Sequence, residues 1–329
     1  AYGDAVSMHA IAAGNATATN SGMAYAYSSS GTASGIVASG DNAYALNDVG
    51  GVAQVTGVYA IGMDVQGASS ALGRNDGIID AWAIYDATGM NVVASAGNAD
   101  LTQNGDITAY SYAGVATGGI AQSTGGDANA HNAGTIKVDG FAFSVGVQAN
   151  AIGGGTATAT NGGTINAFGI HGAYGVVALS DGDAVAGNTG NVSASSIDGR
   201  RTCGMWASGD TANASNSYNV TANSTYGNAT GITATAYGDA IASNSGVVDV
   251  DGYNAATGVF AYSYAGHATA ENNGGMVYAD ALGTAYGVSA FAVYGDASAH
   301  NTGFVQANAQ FGVAVGVYAN TVYGNNADV

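Results

Sequence analysis

One asparagine recurs along the whole chain at a nearly constant spacing of 27 to 29 residues. A period of this length, kept over eleven occurrences, indicates a repeat protein whose successive coils stack on one another. A glycine usually follows within two or three residues, and then an aliphatic residue, which is typical of a turn that leads into a strand. The recurring residues are Asn20, Asn47, Asn75, Asn104, Asn132, Asn161, Asn188, Asn216, Asn244, Asn272 and Asn301.

Two further landmarks return with the same period. The first is glycine followed by Val, Ile or Met, and the second is the triplet Gly-Asp-Ala. Between these landmarks apolar residues alternate with small polar ones, which is the period of a strand with one buried face. The first landmark occurs at Gly35-Ile36, Gly119-Ile120, Gly175-Val176, Gly204-Met205, Gly231-Ile232, Gly258-Val259, Gly287-Val288 and Gly316-Val317, and the second at Asp127, Asp183, Asp239 and Asp296.

These patterns predict an all-β fold: one parallel β-helix, or β-solenoid, that spans residues 1–329 without a separate domain. Each coil of 27–29 residues is expected to hold three short strands, and about twelve coils at ~4.8 Å each give a rod roughly 55 to 60 Å long. Alanine at most inward positions indicates a narrow interior. The general rule for parallel connections favours a right-handed helix.

The repeated asparagine is expected to do more than form a turn. Equivalent residues of successive coils lie over one another, so a stacked asparagine can donate its amide hydrogens to the next amide oxygen, because the group carries both a donor and an acceptor. Asparagine also tolerates the left-handed backbone that a corner can require. We therefore predict a buried or half-buried asparagine ladder, with turn chemistry alone as the alternative.

Charge and hydropathy exclude several partners. The chain has 4 Lys plus Arg against 22 Asp plus Glu, a net charge of -18, and so cannot neutralise the phosphates of nucleic acid or an anionic membrane surface. No apolar run approaches the ~20 residues that a membrane span needs, so membrane insertion is not expected. Cys203 is the only cysteine and cannot form a disulfide within the chain.

Enzymatic function is not expected, and no catalytic residue is assigned. Enzymes built on β-helices need long loops around a cleft, whereas the repeat length here varies only from 27 to 29 residues. This disfavours a polysaccharide lyase. Neither a metal site nor a cofactor is expected, although Asp183, Asp210 and Asp239 lie in neighbouring coils and are sparse candidates for surface cations such as calcium. Solvated turn carboxylates are the alternative for these residues.

Two features point to surface contacts. Many coils carry a tyrosine near a corner, and tyrosine suits adhesion because its ring is apolar and its tip is polar. Covering the outer sheet surface is the alternative role for these rings. The segment 198–203 concentrates arginines and the single cysteine, as Asp198-Gly199-Arg200-Arg201-Thr202-Cys203, and is either a lateral contact with an acidic neighbour or drift in one turn.

The run Asn15-Ala-Thr-Ala-Thr-Asn20-Ser-Gly, together with the Gly-Asp-Ala and Gly-Val/Ile elements at this spacing, resembles the passenger repeats of large bacterial autotransporter-like adhesins. The resemblance is one of repeat style and covers nearly the whole chain. It implies a secreted β-helical stalk, located outside the cell on a bacterial surface.

Solenoid ends expose unpaired strand edges unless a cap covers them, and the sequence opens and closes inside the repeat pattern. We therefore expect the partner to be the chain itself, in a head-to-tail homopolymer, or the chain to be a slice of a longer solenoid. The expected function is an extracellular structural filament subunit, and the alternative is a surface adhesin passenger or stalk that binds a glycan or a host surface. The residues expected at the end contacts are Ala1, Tyr2, Gly3, Asp4, Tyr323, Asn325, Asn326 and Val329.

Overall fold

The computed structural model describes residues 2–198, 201–324 and 326–329, and every regular element in this part of the chain is a β-strand. One coil shows the plan. Phe143–Ala151 forms the first side of the coil, Ala157–Asn161 the second and Thr164–Gly169 the third. The chain then returns at Gly172–Ser180, which pairs in parallel with Phe143–Ala151. The predicted β-solenoid with three strands per coil is confirmed.

Stacking of the coils builds three faces, numbered in the order in which the chain visits them. The strands Thr32–Asn47 and Tyr59–Asn75 turn from face 1 to face 2 without a break and belong to both. The other strands of face 1 are Ala5–Ile11, Ala87–Ala94, Ala116–Ser123, Phe143–Ala151, Gly172–Ser180, Arg201–Gly209, Asn228–Ala236, Ala255–Ser263, Thr284–Ala292 and Ala314–Thr321. Those of face 2 are Asn15–Asn20, Ala99–Gln103, Ala128–Asn132, Ala157–Asn161, Asp183–Asn188, Thr211–Asn216, Ala240–Asn244, Ala268–Asn272, Ala297–Asn301 and Ala327–Asp328.

Face 3 is a separate parallel sheet of 11 strands. Within the described residues there are thus eleven complete coils, which is close to the twelve predicted. The strands Ala314–Thr321 and Ala327–Asp328 lie beyond the last complete coil. The strands of face 3 are Met23–Tyr27, Val52–Gly57, Ile78–Ala83, Asp106–Ser111, Thr135–Gly140, Thr164–Gly169, Asn191–Ser196, Asn219–Ser224, Val247–Gly252, Met276–Ala281 and Phe304–Ala309.

The interior is narrow, as predicted, because alanine occupies most of the inward positions. On face 2 the inward pair of almost every coil is alanine, as at Ala157 and Ala159, both 0% exposed. The larger side chains, such as Ile165 on face 3 and Val176 on face 1, are also fully buried and stack on their equivalents in the next coil. The core is therefore a set of columns in which each side chain packs mainly against its own counterparts.

A column of glycines bends face 1. The pairing of Phe143–Ala151 with the next coil passes over Gly146, which is followed at once by the buried Val147. A Cβ at Gly146 would lie 2.5 Å from the carbonyl oxygen of Gly175 in the next coil and 2.3 Å from Cγ2 of Ile165. Only glycine allows this close approach of two coils and the face 3 side chain. In one coil Gly118 occupies this glycine column. A Cβ at the next residue, the predicted landmark glycine Gly119, would instead point into the core towards Leu101.

Outward side chains are more deeply buried on face 1 than on the other two faces. Side chains that point away from the core on either side of the glycine crowd over it, so that Val177 and Cys203 are each only 4% exposed. Outward residues of faces 2 and 3 are mostly exposed or half-buried by comparison. Face 1 therefore carries a shallow groove along the rod.

Replacing Gly146 with alanine tests this close packing. We expect Gly146→Ala to destabilise the fold by about 1 to 3 kcal/mol, because the added methyl must displace a backbone carbonyl as well as a side chain. Gly187→Ala is the matched control, since its Cβ would meet only Thr160 Cγ2 at 3.5 Å, an ordinary contact. There the change should be neutral or stabilising by up to about 1 kcal/mol. Urea denaturation followed by circular dichroism measures both; equal effects would contradict the packing described.

Candidate functional site

The structure places ten of the eleven predicted asparagines in one column at the corner between faces 2 and 3. In every link except that from Gln103 to Asn132, Nδ2 of one asparagine donates to the side-chain oxygen of the next coil, at 2.7 to 2.9 Å where both residues are asparagine. Asn47, Asn75, Asn132 and Asn272 are 0% exposed. The buried alternative for the ladder is confirmed, and every link points in the same direction along the rod.

Each amide also holds its own corner. Nδ2 of Asn188 donates to the carbonyl oxygen of Gly190 at 2.7 Å, and Oδ1 of Asn188 accepts from the N–H of Gly190 at 3.2 Å. The expectation that the corner uses left-handed asparagine is wrong, because no described residue other than glycine has a positive φ. The ladder asparagines instead end the strands of face 2 in extended backbone, and the turn begins only after them.

Asn104 is the exception among the predicted ladder residues. Gln103 occupies its place in the column, paired with Asn75 and Asn132, while Asn104 is exposed and donates from Nδ2 to Asp76 Oδ1 at 2.7 Å. Gln103 accepts from Asn75 at 2.7 Å, but its own Nε2 reaches Gly105 O at 2.8 Å. Oδ1 of Asn132 is consequently left buried without a hydrogen-bond partner. The longer side chain thus interrupts the ladder at this link.

Restoring the link should stabilise the rod. We expect Gln103→Asn to raise the free energy of unfolding by about 1 to 2 kcal/mol, because the shorter amide can donate to the orphaned Oδ1 of Asn132. Asn104→Ala is the control, since it removes only a surface hydrogen bond and should change stability by less than about 0.5 kcal/mol. Thermal and urea unfolding of the two variants measure the effects. A larger loss from Asn104→Ala than from an interior ladder variant such as Asn188→Ala would contradict the assignment.

Serines at the corner between faces 1 and 2 form a second set of polar contacts, which the sequence reasoning missed. Ser123 and Ser263 are fully buried, and Ser123 Oγ donates to the carbonyl oxygen of Gly97 at 2.7 Å while accepting from the N–H of Gly126 at 2.8 Å. Ser180 makes the equivalent bond to Gly155 O. The recurring signal was a serine or threonine shortly before the Gly-Asp turn, but alanine or glycine replaces it in other coils.

The carboxylates considered for cations lie at this same corner. Asp183, Thr211, Asp239 and His267 follow one another in a single column. Thr211 Oγ1 donates to Asp183 Oδ1 at 2.6 Å, and the N–H of His267 donates to Asp239 Oδ1 at 2.8 Å. Asp210 is exposed and stands beside the column, next to Thr211. Among the described residues no three His, Cys, Asp or Glu side chains gather as a metal-binding group.

The predicted N-terminal contact residues are partly used within the chain. Ala1 lies outside the described residues, and Tyr2 is 98% exposed. The N–H of Gly3 donates to Ser30 Oγ at 3.0 Å, and Asp4 Oδ1 accepts from the N–H of Thr32 at 2.9 Å. Gly3 and Asp4 thus fasten the first turn to the second coil.

At the other end, Asn325 lies outside the described residues and Val329 is 79% exposed. The N–H of Asn326 donates to Asp296 Oδ1 at 3.0 Å. Tyr323 stacks on Tyr294, with ring centroids 5.2 Å apart. It ends a column of exposed rings at the corner between faces 1 and 2, formed by Tyr237, Tyr264, Tyr294 and Tyr323. The corner tyrosines therefore stack on each other along the rod.

The groove of face 1 changes character along the rod. Around Asp64 it is polar: Asn91 Nδ2 and Gln66 Nε2 donate to the two carboxylate oxygens at 2.8 and 2.9 Å, while burial raises the pKa of this carboxyl. Further along, the groove is aromatic. Tyr174 stacks on Trp206 with centroids 6.1 Å apart, and the guanidinium carbon of Arg201 lies 5.4 Å from the Trp206 ring.

A small cavity of about 220 Å³ opens in this aromatic stretch, lined by Arg201, Cys203, Trp206, Phe260 and the threonines of one strand, Thr230, Thr233 and Thr235. The sequence pointed to its segment through the unusual run at 198–203, of which Gly199 and Arg200 lie outside the described residues. The cavity itself was missed, since it depends on which residues of different coils share a column.

Comparison of the chain with models of protein families, with curated proteins and with solved structures finds no match. Within the described part of the chain, no helix is long and apolar enough to cross a membrane.

Cys203 offers a chemical test of the groove. Burial raises the pKa of its thiol from 9.0 to about 11. At pH 8 roughly a thousandth of the folded chains carry the reactive thiolate, so we expect iodoacetamide to modify Cys203 only after unfolding. Mass spectrometry of native and urea-treated samples measures this.

The same shift predicts a loss of stability at high pH. The folded pKa is raised, so the unfolded chain releases the proton first, and stability falls as the pH rises from 9 towards 11, by about 2 kcal/mol. Cys203→Ala should lack this component when urea melts at pH 8 and pH 10.5 are compared. An equal alkaline loss in both proteins would contradict the buried thiol.

Proposed function

We propose that this chain is an extracellular structural filament subunit whose rods join head to tail through their end coils. The observation that carries the proposal is the continuity of the face 1 columns up to both terminal strands. Ala5–Ile11 and Ala314–Thr321 each pair with one neighbouring strand only, so each has a strand edge without a partner among the described residues. Such edges pair readily with another chain.

The inward residues of these two strands belong to the same three columns. Those of the first strand pair with Ala33, Ile36 and Ala38, and those of the last pair with Ala285, Val288 and Ala290. A second copy stacked in register would therefore place Ala5 over Ala314, Met8 over Val317 and Ala10 over Ala319. In the single rod Ala314 is exposed and the other five residues are partly buried. Stacking would complete the burial of all six.

The direction of the rod favours unlike ends over like ends. All strand pairs of the described residues are parallel, and every asparagine-to-asparagine bond of the ladder is donated towards the C-terminal end of the rod. A rod of this kind cannot continue its columns by meeting the same end of another rod. Contacts between unlike ends that do not close into a ring produce an open filament.

Charge supports end contacts over side contacts. The net charge of -18 repels neighbouring rods laterally, whereas the end surfaces bring alanine, valine and methionine together. The resemblance of the repeats to adhesin passengers supports a location on the bacterial surface. A structural role instead of a catalytic one is supported by the nearly equal length of the coils, since no long loop leaves a face in the described ranges 2–198, 201–324 and 326–329.

Electron microscopy of complementary end variants tests the filament. We expect the wild-type chain to form fibres that lengthen with concentration, whereas Met8→Asp and Val317→Asp, each of which buries a charge at one end, should remain single rods about 55 Å long. Mixed in equal amounts, the two variants should form dimers and nothing longer, because each keeps one intact end.

His9→Asp and Asn320→Asp are the controls, since both side chains point outward in the same terminal strands. These two variants should still form fibres, although the added negative charge increases the repulsion between rods. Single rods of the wild-type chain at high concentration would overturn the filament proposal and favour the second candidate, a surface adhesin stalk. The observation in favour of a stalk is the aromatic groove of face 1, which a purely structural rod does not need.

A further inference from the structure

The cavity on face 1 is a slot between two aromatic rings. Trp206, Thr233 and Phe260 occupy the same outward column in three successive coils. Two coil steps separate the two aromatic residues by ~9.6 Å, which leaves room for one further ring between them. Thr233 is too small to fill that space, and it lines the cavity together with both aromatic residues. At about 220 Å³ the cavity is below the ~300 Å³ of pockets for drug-sized ligands and suits a single ring.

The same column contains a second small residue between two aromatic ones, and there the space is closed. Ser289 lies between Phe260 and Tyr318, yet it is only 6% exposed. Tyr318, in the next coil of this column, packs against Tyr286, with ring centroids 5.7 Å apart. Thr233 remains half-buried and accessible. An open slot is therefore a property of this coil and does not follow from the repeat.

Hydroxyl groups line the floor of the slot. Thr230, Thr233 and Thr235 are the outward residues of one strand, and all three line the cavity. Thr233 Oγ1 accepts only a long contact from Cys203 Sγ at 3.8 Å. Within the described residues, Thr230 and Thr235 have no hydrogen-bond partner for their hydroxyls. A ligand in the slot thus meets three groups that can each donate and accept.

A cation stands at the slot in a strongly acidic protein. Arg201 is one of 4 basic residues against 22 acidic ones, and it lines the cavity beside Trp206. In the described part of the chain it forms no ion pair, whereas Arg74 is bonded to Asp76 at 2.8 Å. The guanidinium presents a planar set of donors that matches a carboxylate.

We propose that this slot binds a single acidic sugar residue, a hexuronic acid, on a glycan. The C–H face of the pyranose ring packs between Trp206 and Phe260, the sugar hydroxyls exchange hydrogen bonds with the threonines, and the carboxylate pairs with Arg201. A flat aromatic ligand would use the rings but would leave the three hydroxyls without polar partners. A neutral sugar would leave the guanidinium unpaired.

The charge of the rod limits the ligand further. Away from Arg201 the protein is negative, so a polymer of uronic acids would be repelled along its length, with a screening distance of about 8 Å at physiological ionic strength. The slot therefore suits an isolated or terminal uronic acid within an otherwise neutral glycan. This binding site does not depend on filament formation, because none of its residues lies in a terminal strand.

Fluorescence titration tests the slot directly. Of the two tryptophans, Trp82 lies on face 3, so the Trp82→Phe background leaves Trp206 as the only indole. We expect methyl β-glucuronide to change the fluorescence of Trp206 saturably and to bind about tenfold more tightly than methyl β-glucoside, the factor that one exposed charge-assisted bond provides. Saturation-transfer NMR on the same samples detects bound sugar independently of the indole signal.

Two variants separate the parts of the proposal. Thr233→Phe fills the slot with a third aromatic ring and should abolish binding while keeping the fold, as circular dichroism can verify. Ile120→Phe is its matched control, because Ile120 occupies the same outward column in an earlier coil. Arg201→Gln should reduce the affinity for the glucuronide to that for the glucoside.

Three outcomes would overturn the proposal. The first is that neither sugar binds at a concentration of about 10 mM, which is ten times a weak Kd of about 1 mM. The second is equal affinity for the two sugars in the unaltered slot, and the third is unchanged binding in Thr233→Phe. The titration is repeated with Met8→Asp rods, which cannot form filaments, so that failure of the filament and failure of the slot are distinguishable.

Discussion

Parallel stacking of coils of equal length is the constraint on which the rest of this structure depends. With a rise of ~4.8 Å per coil, every side chain lies directly over its equivalent, so each position must tolerate contact with copies of itself. Alanine does so at the narrow interior, glycine does so where face 1 bends, and asparagine does so because its amide is both donor and acceptor. A buried lysine or aspartate column would accumulate like charge with every coil.

The asparagine ladder shows how strongly such a column depends on side-chain length. Its amides are buried, and a buried polar group without a partner costs about 1 to 3 kcal/mol, so continuity of the row matters more than the mean strength of one bond. Gln103 keeps the chemistry and changes the reach by one methylene, and the result is an unpaired oxygen on Asn132. The glycines that follow in this corner, Gly105 and Gly134, allow successive coils to approach so closely that a Cβ at either would lie 1.9 Å from a carbonyl oxygen of the preceding coil.

The sequence was sufficient for the period, the three strands of each coil, the small interior and nearly all of the ladder, because these depend on residues that recur. It was insufficient where two similar residues compete for one position. At Gln103-Asn104 both side chains are amides, and only the pairing of Asn75 and Asn132 with Gln103 decides between them. The left-handed corner was inferred from what asparagine tolerates, whereas each ladder asparagine ends a strand and none has a positive φ.

The aromatic slot could not be predicted in the same way, for a physical reason. Trp206, Thr233 and Phe260 are each 27 residues apart, but the glycine bend shifts the alternation of inward and outward residues within face 1. If every second residue of the strand is assigned to the outer surface and this shift is ignored, the wrong residues are placed there. Once the columns are known, a residue that interrupts one becomes informative. Gln103 interrupts the buried asparagine column and leaves Oδ1 of Asn132 unsatisfied. Thr233 stands between two aromatic residues of an outer column and leaves an accessible space beside Arg201, which forms no ion pair in the described chain. The first break only reduces stability. The second combines shape, hydroxyls and charge at one place, and the packing of the rod against itself does not explain this combination.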